Sequence, residues 1–186
     1  MKKQFLILAL AAITFSCGTK TKKAENATPN TTVVQEENTE EDILIGFHTR
    51  EDLKEEPHNE WFESTYSEYT PDEETVNALK PLVKNQEIKI FMGTWCSDSQ
   101  REVPHFFKIM DQAGYTYDDF KLITMSREKT TPDNLEKGLN ITNVPTIIFY
   151  KDGKEINRIV EYTIDSLEKD MLNILEGKDY KNAYAE

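Results

Sequence analysis

The chain has 186 residues and a mass of 21.6 kDa, room for one domain of ordinary size. Acidic residues number 34 against 22 basic ones, and the formal net charge of −12 excludes the basic stripe that nucleic-acid phosphates require. Only 38% of residues are hydrophobic, so part of the chain is expected to lie outside any packed core, and two cysteines, Cys17 and Cys96, are too few for a disulfide framework.

Lys2 and Lys3 precede an unbroken apolar run over residues 5–13. A membrane-spanning helix needs about 20 apolar residues. The shorter run fits the hydrophobic part of an export signal. Thr14-Phe15-Ser16 then leads into Cys17-Gly18. A small residue followed by cysteine at this point resembles a bacterial lipoprotein signal, although Phe15 is bulkier than the residue usual there. The resemblance implies removal of residues 1–16, lipid on the Cys17 sulfur, and a membrane anchor in the cell envelope; Lys20, Lys22 and Lys23 after the cysteine announce no surface-export tag, so a periplasm-facing anchor is the default expectation. Several acyl chains anchor stably where one does not. A lipidated Cys17 is a thioether and cannot pair with Cys96. The alternative is an ordinary export signal with an incidental cysteine. Residues 18–42 contain no aromatic residue and only Ala24, Ala27, Val33 and Val34 as apolar members. Such a stretch buries too little surface to offset its ordering entropy and reads as a disordered tether. The lipidated Cys17 and this tether together make up residues 17–42.

Residues 43–69 form an acidic, aromatic extension carrying Ile43, Leu44, Ile45, Phe47, Trp61, Phe62, Tyr66 and Tyr69. These aromatics are expected to pack against the sheet or first helix of a following domain; a partner surface built on Trp61-Phe62 is the alternative. Over residues 43–74 ten acidic residues oppose two basic ones, a net of −8, whereas residues 75–178 hold sixteen against fourteen, a net of −2. Most of the acidity therefore stands in front of the core.

The domain is expected over residues 70–178, with 179–186 as a C-terminal tail. Thr70-Pro71-Asp72-Glu73 has a capping threonine, a proline at the first helical position and a glutamate three after the cap. Val76, Leu79 and Val83 give that helix its apolar face, and Pro81 should end or kink it. Residues 88–92 and 120–125 are short runs of strand formers. Between them Val103, Phe106, Phe107 and Met110 recur at helical spacing. A short helix is predicted over 132–139. Residues 146–150 and 155–160 flank Lys151-Asp152-Gly153-Lys154, a hairpin signal. Ile164, Leu167, Met171, Ile174 and Leu175 lie on one helical face, stopped by Gly177. The order predicts an α/β sandwich with a mixed central sheet, parallel where helices intervene and antiparallel at the hairpin.

Trp95-Cys96-Ser97-Asp98-Ser99 falls where the first strong strand gives way to a helix. A thiol at a helix start meets free N–H groups and partial positive charge, which favour the nucleophilic thiolate. The polar neighbours Ser97, Asp98, Ser99 and Gln100 suggest exposure, and Trp95 offers an apolar platform for a docking peptide. An inert, buried cysteine is the alternative. His48, His58 and His105 have no metal-ligand spacing to one another or to Cys96 and read as surface histidines. No metal and no cofactor is expected.

The stretch from Ile90 through Gly93-Thr94-Trp95-Cys96 to Ser99 resembles the active-site strand and turn of thioredoxin. Pro104 falls where thioredoxins kink the helix that follows. Asn143-Val144-Pro145-Thr146-Ile147 is similar to the family's cis-proline loop, and residues 149–154 to its hairpin. The similarity runs from about residue 70 to 175 and implies a thioredoxin-like α/β/α sandwich. It places Cys96 as the attacking cysteine, with Pro145 bringing the substrate backbone beside the sulfur and Trp95 and Val144 forming the substrate surface. Four departures stand out. Ser99 replaces the second cysteine of Cys-x-x-Cys, and Ile90 stands where many thioredoxins bury an aspartate that serves that second thiol. Their joint loss is coherent. Glu161 stands near a position normally held by glycine at the substrate groove. Asp98, within the motif, opposes the thiolate, the Ser99 hydroxyl can donate to it, and Arg101 is expected to meet Asp98 as a solvated surface pair.

Two functions follow. One is monothiol thiol–disulfide exchange, with Cys96 as nucleophile and protein disulfides or thiols of the envelope as partners. A dithiol reductase cycle within one chain is excluded, because no second cysteine can displace the mixed disulfide. The other is a non-catalytic binding module that keeps the fold and leaves Cys96 incidental.

Overall fold

A computed structural model describes residues 42–185. The signal segment, Cys17 and the tether up to residue 41 lie outside the described residues. Among the described residues no helix is long and apolar enough to cross a membrane.

Strand β1 (Gly46–His48) is followed by a 3-10 turn (Glu51–Lys54) and helix α1 (Asn59–Glu68). Then come α2 (Glu73–Leu79), β2 (Glu87–Met92), α3 (Ser97–Ala113), β3 (Phe120–Thr124), the hairpin β4 (Thr146–Lys151) and β5 (Lys154–Val160), and α4 (Leu167–Leu175). The five strands form one mixed sheet in the order β1-β3-β2-β4-β5. β2 and β3 are parallel, because α3 carries the chain back across the sheet, and the other pairings are antiparallel. The thioredoxin-like mixed α/β architecture expected from the sequence is the one found.

β2 sits at the centre and sends alternate residues to opposite faces, as strand geometry requires. Ile88, Ile90 and Met92 join Val76, Leu79, Phe106, Phe107, Met110 and Met171 in the helix-covered core. Phe91 faces the other way, into a smaller core with Ile123, Met125, Val144 and Ile148. The hairpin turns at Asp152 and Gly153, both with positive φ (52° and 71°), the backbone that matches strand twist in a two-residue loop.

The acidic extension is an integral part of this fold. β1 pairs antiparallel with the outer edge of β3, register Phe47 to Ile123. Phe62 of α1 is fully buried, its ring 5.9 Å from Phe107 of α3 in edge-to-face contact. Arg50 pairs with Asp111 of α3 at 2.7 Å, and the same carboxylate accepts the Tyr66 and Tyr117 hydroxyls, each at 2.7 Å. Glu168 of α4, itself buried, accepts Tyr69 Oη–H at 2.6 Å and the Asp72 amide at 3.0 Å, clamping the joint between α1 and α2.

Several local expectations need correction. Asp72, rather than Thr70, caps α2: its carboxylate accepts the Thr75 amide at 2.8 Å and hydroxyl at 2.6 Å, two groups that Thr70 is placed too early to reach. The helix stops at Leu79, before the constraint of Pro81. Residues 132–139 are turns, not a helix, because Asn134 (φ 53°) and Gly138 (φ 80°) take left-handed backbone within the run. Leu135 and Leu139 still pack on the second face of the sheet. α4 begins at Leu167, and Ile164 is exposed, because Asp170 binds the Ile164 and Asp165 amides and fixes them outside the helix. None of the three histidines is freely exposed: one is buried and two are half-buried. His58, the N-cap residue of α1, is buried, and burial pulls its pKa down. His105 stacks on Tyr69 at 3.8 Å, and burial, with Arg101 nearby, lowers its pKa to about 4.

Candidate functional site

Cys96 is the N-cap residue of α3, the 17-residue helix that leaves the end of β2. Its own amide donates to the Gly93 carbonyl at 3.0 Å, and its carbonyl accepts from Gln100 at 2.9 Å, so a tight turn delivers the residue to the helix start. The side chain is half-buried, and Sγ lies 3.2 Å from the Val144 carbonyl oxygen. Val144–Pro145 is a cis peptide bond. Thr146 Oγ1 donates to the Asn143 carbonyl at 2.6 Å and closes the loop around it. Residues 48 positions apart in sequence, Cys96 and Val144, are thus brought into contact.

Trp95 stands beside the sulfur, half-buried, with its indole N–H donated to the Met125 carbonyl at 2.9 Å. The ring lies against Gly93: a Cβ at that glycine would sit 2.5 Å from Cε2 of the indole. Glycine is required here by space, not by φ. The Arg127 guanidinium lies 5.5 Å from the Trp95 ring centre, so the platform has a cation on one face. Ser99 is fully buried, and its hydroxyl accepts the Gly93 amide at 3.2 Å. Among the described residues it makes no hydrogen bond to Cys96. Its place in this site is to tie the end of β2 to the first turn of α3. Asp98 and Arg101 form the expected ion pair at 2.7 Å; Arg101 also reaches Glu102 at 2.9 Å, a buried carboxyl whose pKa desolvation raises. Ile90 is wholly buried in the helix-side core.

Glu161 adopts φ 65°, left-handed backbone that favours glycine. Its amide donates to the Pro145 carbonyl at 2.7 Å, and its carboxylate accepts Asn143 Nδ2–H at 2.7 Å and the Tyr184 hydroxyl. The sulfur and Glu161 are therefore bonded to the carbonyls of two successive residues, Val144 and Pro145. Three contributors to this neighbourhood escape sequence reasoning: Arg127, Tyr184, and Leu44, whose amide donates to buried Thr94 at 3.3 Å. No local pattern marks them.

A mixed sheet with an antiparallel hairpin on one side, and a cysteine at a helix start facing a cis-proline loop, are the features on which the resemblance to thioredoxin rests. Sequence comparison agrees. Over 109 residues, 58% of this chain and 81% of the relative, the chain is 27% identical to mitochondrial thioredoxin-3 of Saccharomyces cerevisiae. Over 70 residues, 38% of this chain and 62% of the relative, it is 29% identical to thioredoxin-2 of the same yeast. Among solved structures, mitochondrial thioredoxin 3 of S. cerevisiae in its oxidized form covers 52% of this chain and 86% of its own, with 24% identity and a TM-score of 0.31. No family model matches the chain.

Proposed function

We propose that the chain is a membrane-anchored, thioredoxin-like protein that performs thiol–disulfide exchange through the single nucleophile Cys96. The observation that carries this reading is the seating of Sγ, half-buried at the start of α3 and 3.2 Å from the Val144 carbonyl beside cis-Pro145. Similarity to yeast thioredoxins supports redox chemistry of this class. In the reaction the Cys96 thiolate attacks one sulfur of a partner disulfide. A bond from Cys96 to that sulfur forms, the partner's S–S bond breaks, and the other sulfur leaves with the electron pair as a thiolate. With Ser99 in the resolving position, release requires a second thiol from the partner (isomerisation) or from an external small thiol (reduction). Trp95, Val144 and Pro145 line the approach to the sulfur, and Ser99 acts as a positioning residue through Gly93.

The anchor is Cys17, lipidated after removal of residues 1–16, with the domain facing the periplasm of a bacterial envelope and protein disulfides or thiols there as partners. Exposing cells to the wild-type and Cys96→Ser chains, trapping thiols with N-ethylmaleimide and separating the extracts without reductant tests the chemistry. Wild type should show mixed-disulfide bands that the variant lacks; equal patterns would reject it. Palmitate labelling and membrane fractionation of Cys17→Ser, which should lose both label and membrane association, test the anchor.

A binding module is the second reading, favoured by Glu161, whose side chain is engaged with Asn143 and Tyr184 at the groove edge. The rate of Cys96 alkylation across pH separates the two: a thiolate populated near neutrality supports exchange, and model-peptide behaviour supports the module.

A further inference from the structure

We propose that the C-terminal segment, residues 179–185, is a side wall of the Cys96 groove, latched to Glu161 by Tyr184, and that it sets the size of partner the sulfur admits. The proposal rests on the reading of Cys96 as the reactive centre and deepens it.

The segment leaves α4 and is fixed first at Tyr180. That side chain is buried, its hydroxyl donates to Asp170 at 3.0 Å, and its carbonyl accepts Asn157 Nδ2–H at 2.9 Å, which lays the segment along β5, the edge strand. Beyond Tyr180 the chain is held differently. Tyr184 is 48% exposed, its ring meets that of Tyr162, 47% exposed, edge-on at 5.9 Å, and its hydroxyl donates to Glu161. Two large exposed rings on the rim of a site have no folding role comparable with that of Tyr180.

What they stand beside is specific. Glu161 is bonded to the Pro145 carbonyl through its amide and to Asn143 through its carboxylate, and the neighbouring Val144 carbonyl touches the sulfur. Tyr184 is therefore attached, through one residue, to the loop along which any partner backbone must lie to reach Sγ. The Trp95 platform, with Arg127 over it, stands beside the sulfur as well, and Tyr184 would wall the approach from the side of the 143–145 loop. Small disulfides and extended segments fit such a passage, and bulky folded surfaces require the wall to lift. The latch is one hydrogen bond to a carboxylate and one ring contact. Tyr180, with its buried anchor, stays in place when the latch opens.

The test uses the full chain with Cys17→Ser, leaving Cys96 as the sole thiol. Its alkylation rate is measured with iodoacetamide and with a maleimide carrying a 5-kDa polyethylene glycol, a probe size on the order of a small folded domain. Chains ending at Tyr180 and the variant Tyr184→Ala are compared with it, and thermal melting confirms that each is folded. The ratio of bulky to small rate should rise by up to about tenfold in both, the shift one charge-assisted hydrogen bond can sustain. An unchanged ratio overturns the wall. So does an equal rise in both rates, which would mean a change in the sulfur itself rather than in access. Alkylation requires no exchange chemistry. A ratio that rises while Cys96 fails to exchange with oxidised glutathione would leave the wall standing and reject the exchange reading.

Discussion

Gly93→Ala is the most direct probe of how the site is built. The glycine has ordinary backbone angles, so an alanine meets no conformational penalty; it meets the Trp95 ring, with indole atoms 2.5, 2.7 and 2.9 Å from the new Cβ. Carbon atoms rest at about 3.5–4.0 Å, so the ring must move by about 1 Å. It has little freedom to do so, being pinned by its N–H to the Met125 carbonyl at 2.9 Å. Overpacking of this kind costs about 1–3 kcal/mol. If the indole leaves instead, about 1 kcal/mol of hydrogen bond and about 0.5–1 kcal/mol of cation–π contact with Arg127 are lost. Either route gives a loss of about 1–3 kcal/mol, near 2 if the indole leaves. In a Trp95→Ala background the obstacle is gone, and the same Gly93→Ala should be neutral or stabilise by about 0.5 kcal/mol through the unfolded chain. Urea denaturation followed by circular dichroism on the four proteins of the cycle measures the coupling. An equal cost of Gly93→Ala in both backgrounds would refute the reasoning, since the ring would not be what excludes the methyl group.

Phe62→Ala, which empties a fully buried position between α1 and α3, should destabilise the whole domain by about 3–5 kcal/mol; a melting temperature close to that of wild type would mean that the acidic extension is only loosely attached. Asp111→Ala leaves Arg50 and two tyrosine hydroxyls without their acceptor, and should cost about 2 kcal/mol, reduced from the fully buried case because both charged partners are about a quarter exposed. A loss of under about 0.5 kcal/mol in urea titration would argue against this hub. Acid sensitivity should trace to His105, whose pKa falls from the ordinary 6.5 to about 4 through burial and the nearby Arg101 charge. Below pH 6.5 the unfolded chain takes up a proton that the folded one refuses until about pH 4, so the stability due to the neutral ring is complete above 6.5 and lost as pH falls through that window. Discounted for partial exposure, the loss is at most about 2 kcal/mol, and His105→Phe should flatten it; parallel pH profiles for wild type and variant would contradict the assignment.

What was legible in the sequence is what short-range chemistry decides. β2, β3 and the hairpin announce themselves as runs of strand formers, and Asp152-Gly153 specifies its turn by the backbone it can adopt. The candidate site was legible in part: Cys96 at a strand-to-helix junction is a local signature, whereas the Val144-Pro145 loop was marked by its resemblance to the thioredoxin cis-proline loop. β1 was not, because three residues at a sheet edge, with Phe47 mostly exposed, are a strand only by virtue of their pairing with β3. α1 was hidden in a segment whose acids and aromatics follow no clean helical stripe, its helix being settled by Phe107 and Asp111 on another element. The false helix over 132–139 shows the converse error. Its composition permits a helix, but Thr131 Oγ1, by accepting the Leu135 amide at 2.8 Å and donating to Glu136 at 2.7 Å, stabilises turns that leave Asn134 and Gly138 left-handed.

Glu161 couples the backbone of its own turn to the C-terminal segment. Its left-handed backbone costs a non-glycine residue about 1 kcal/mol, so a change to glycine would relax the main chain while dissolving the bonds to Asn143 and Tyr184. Relaxed backbone and the side-chain bonds that tie Asn143 and the C-terminal segment together are thus set against each other at one position. If the C-terminal segment walls the approach to Cys96 as proposed, one substitution to glycine would both relax the main chain and free that segment, at the cost of the side-chain bonds that now hold it.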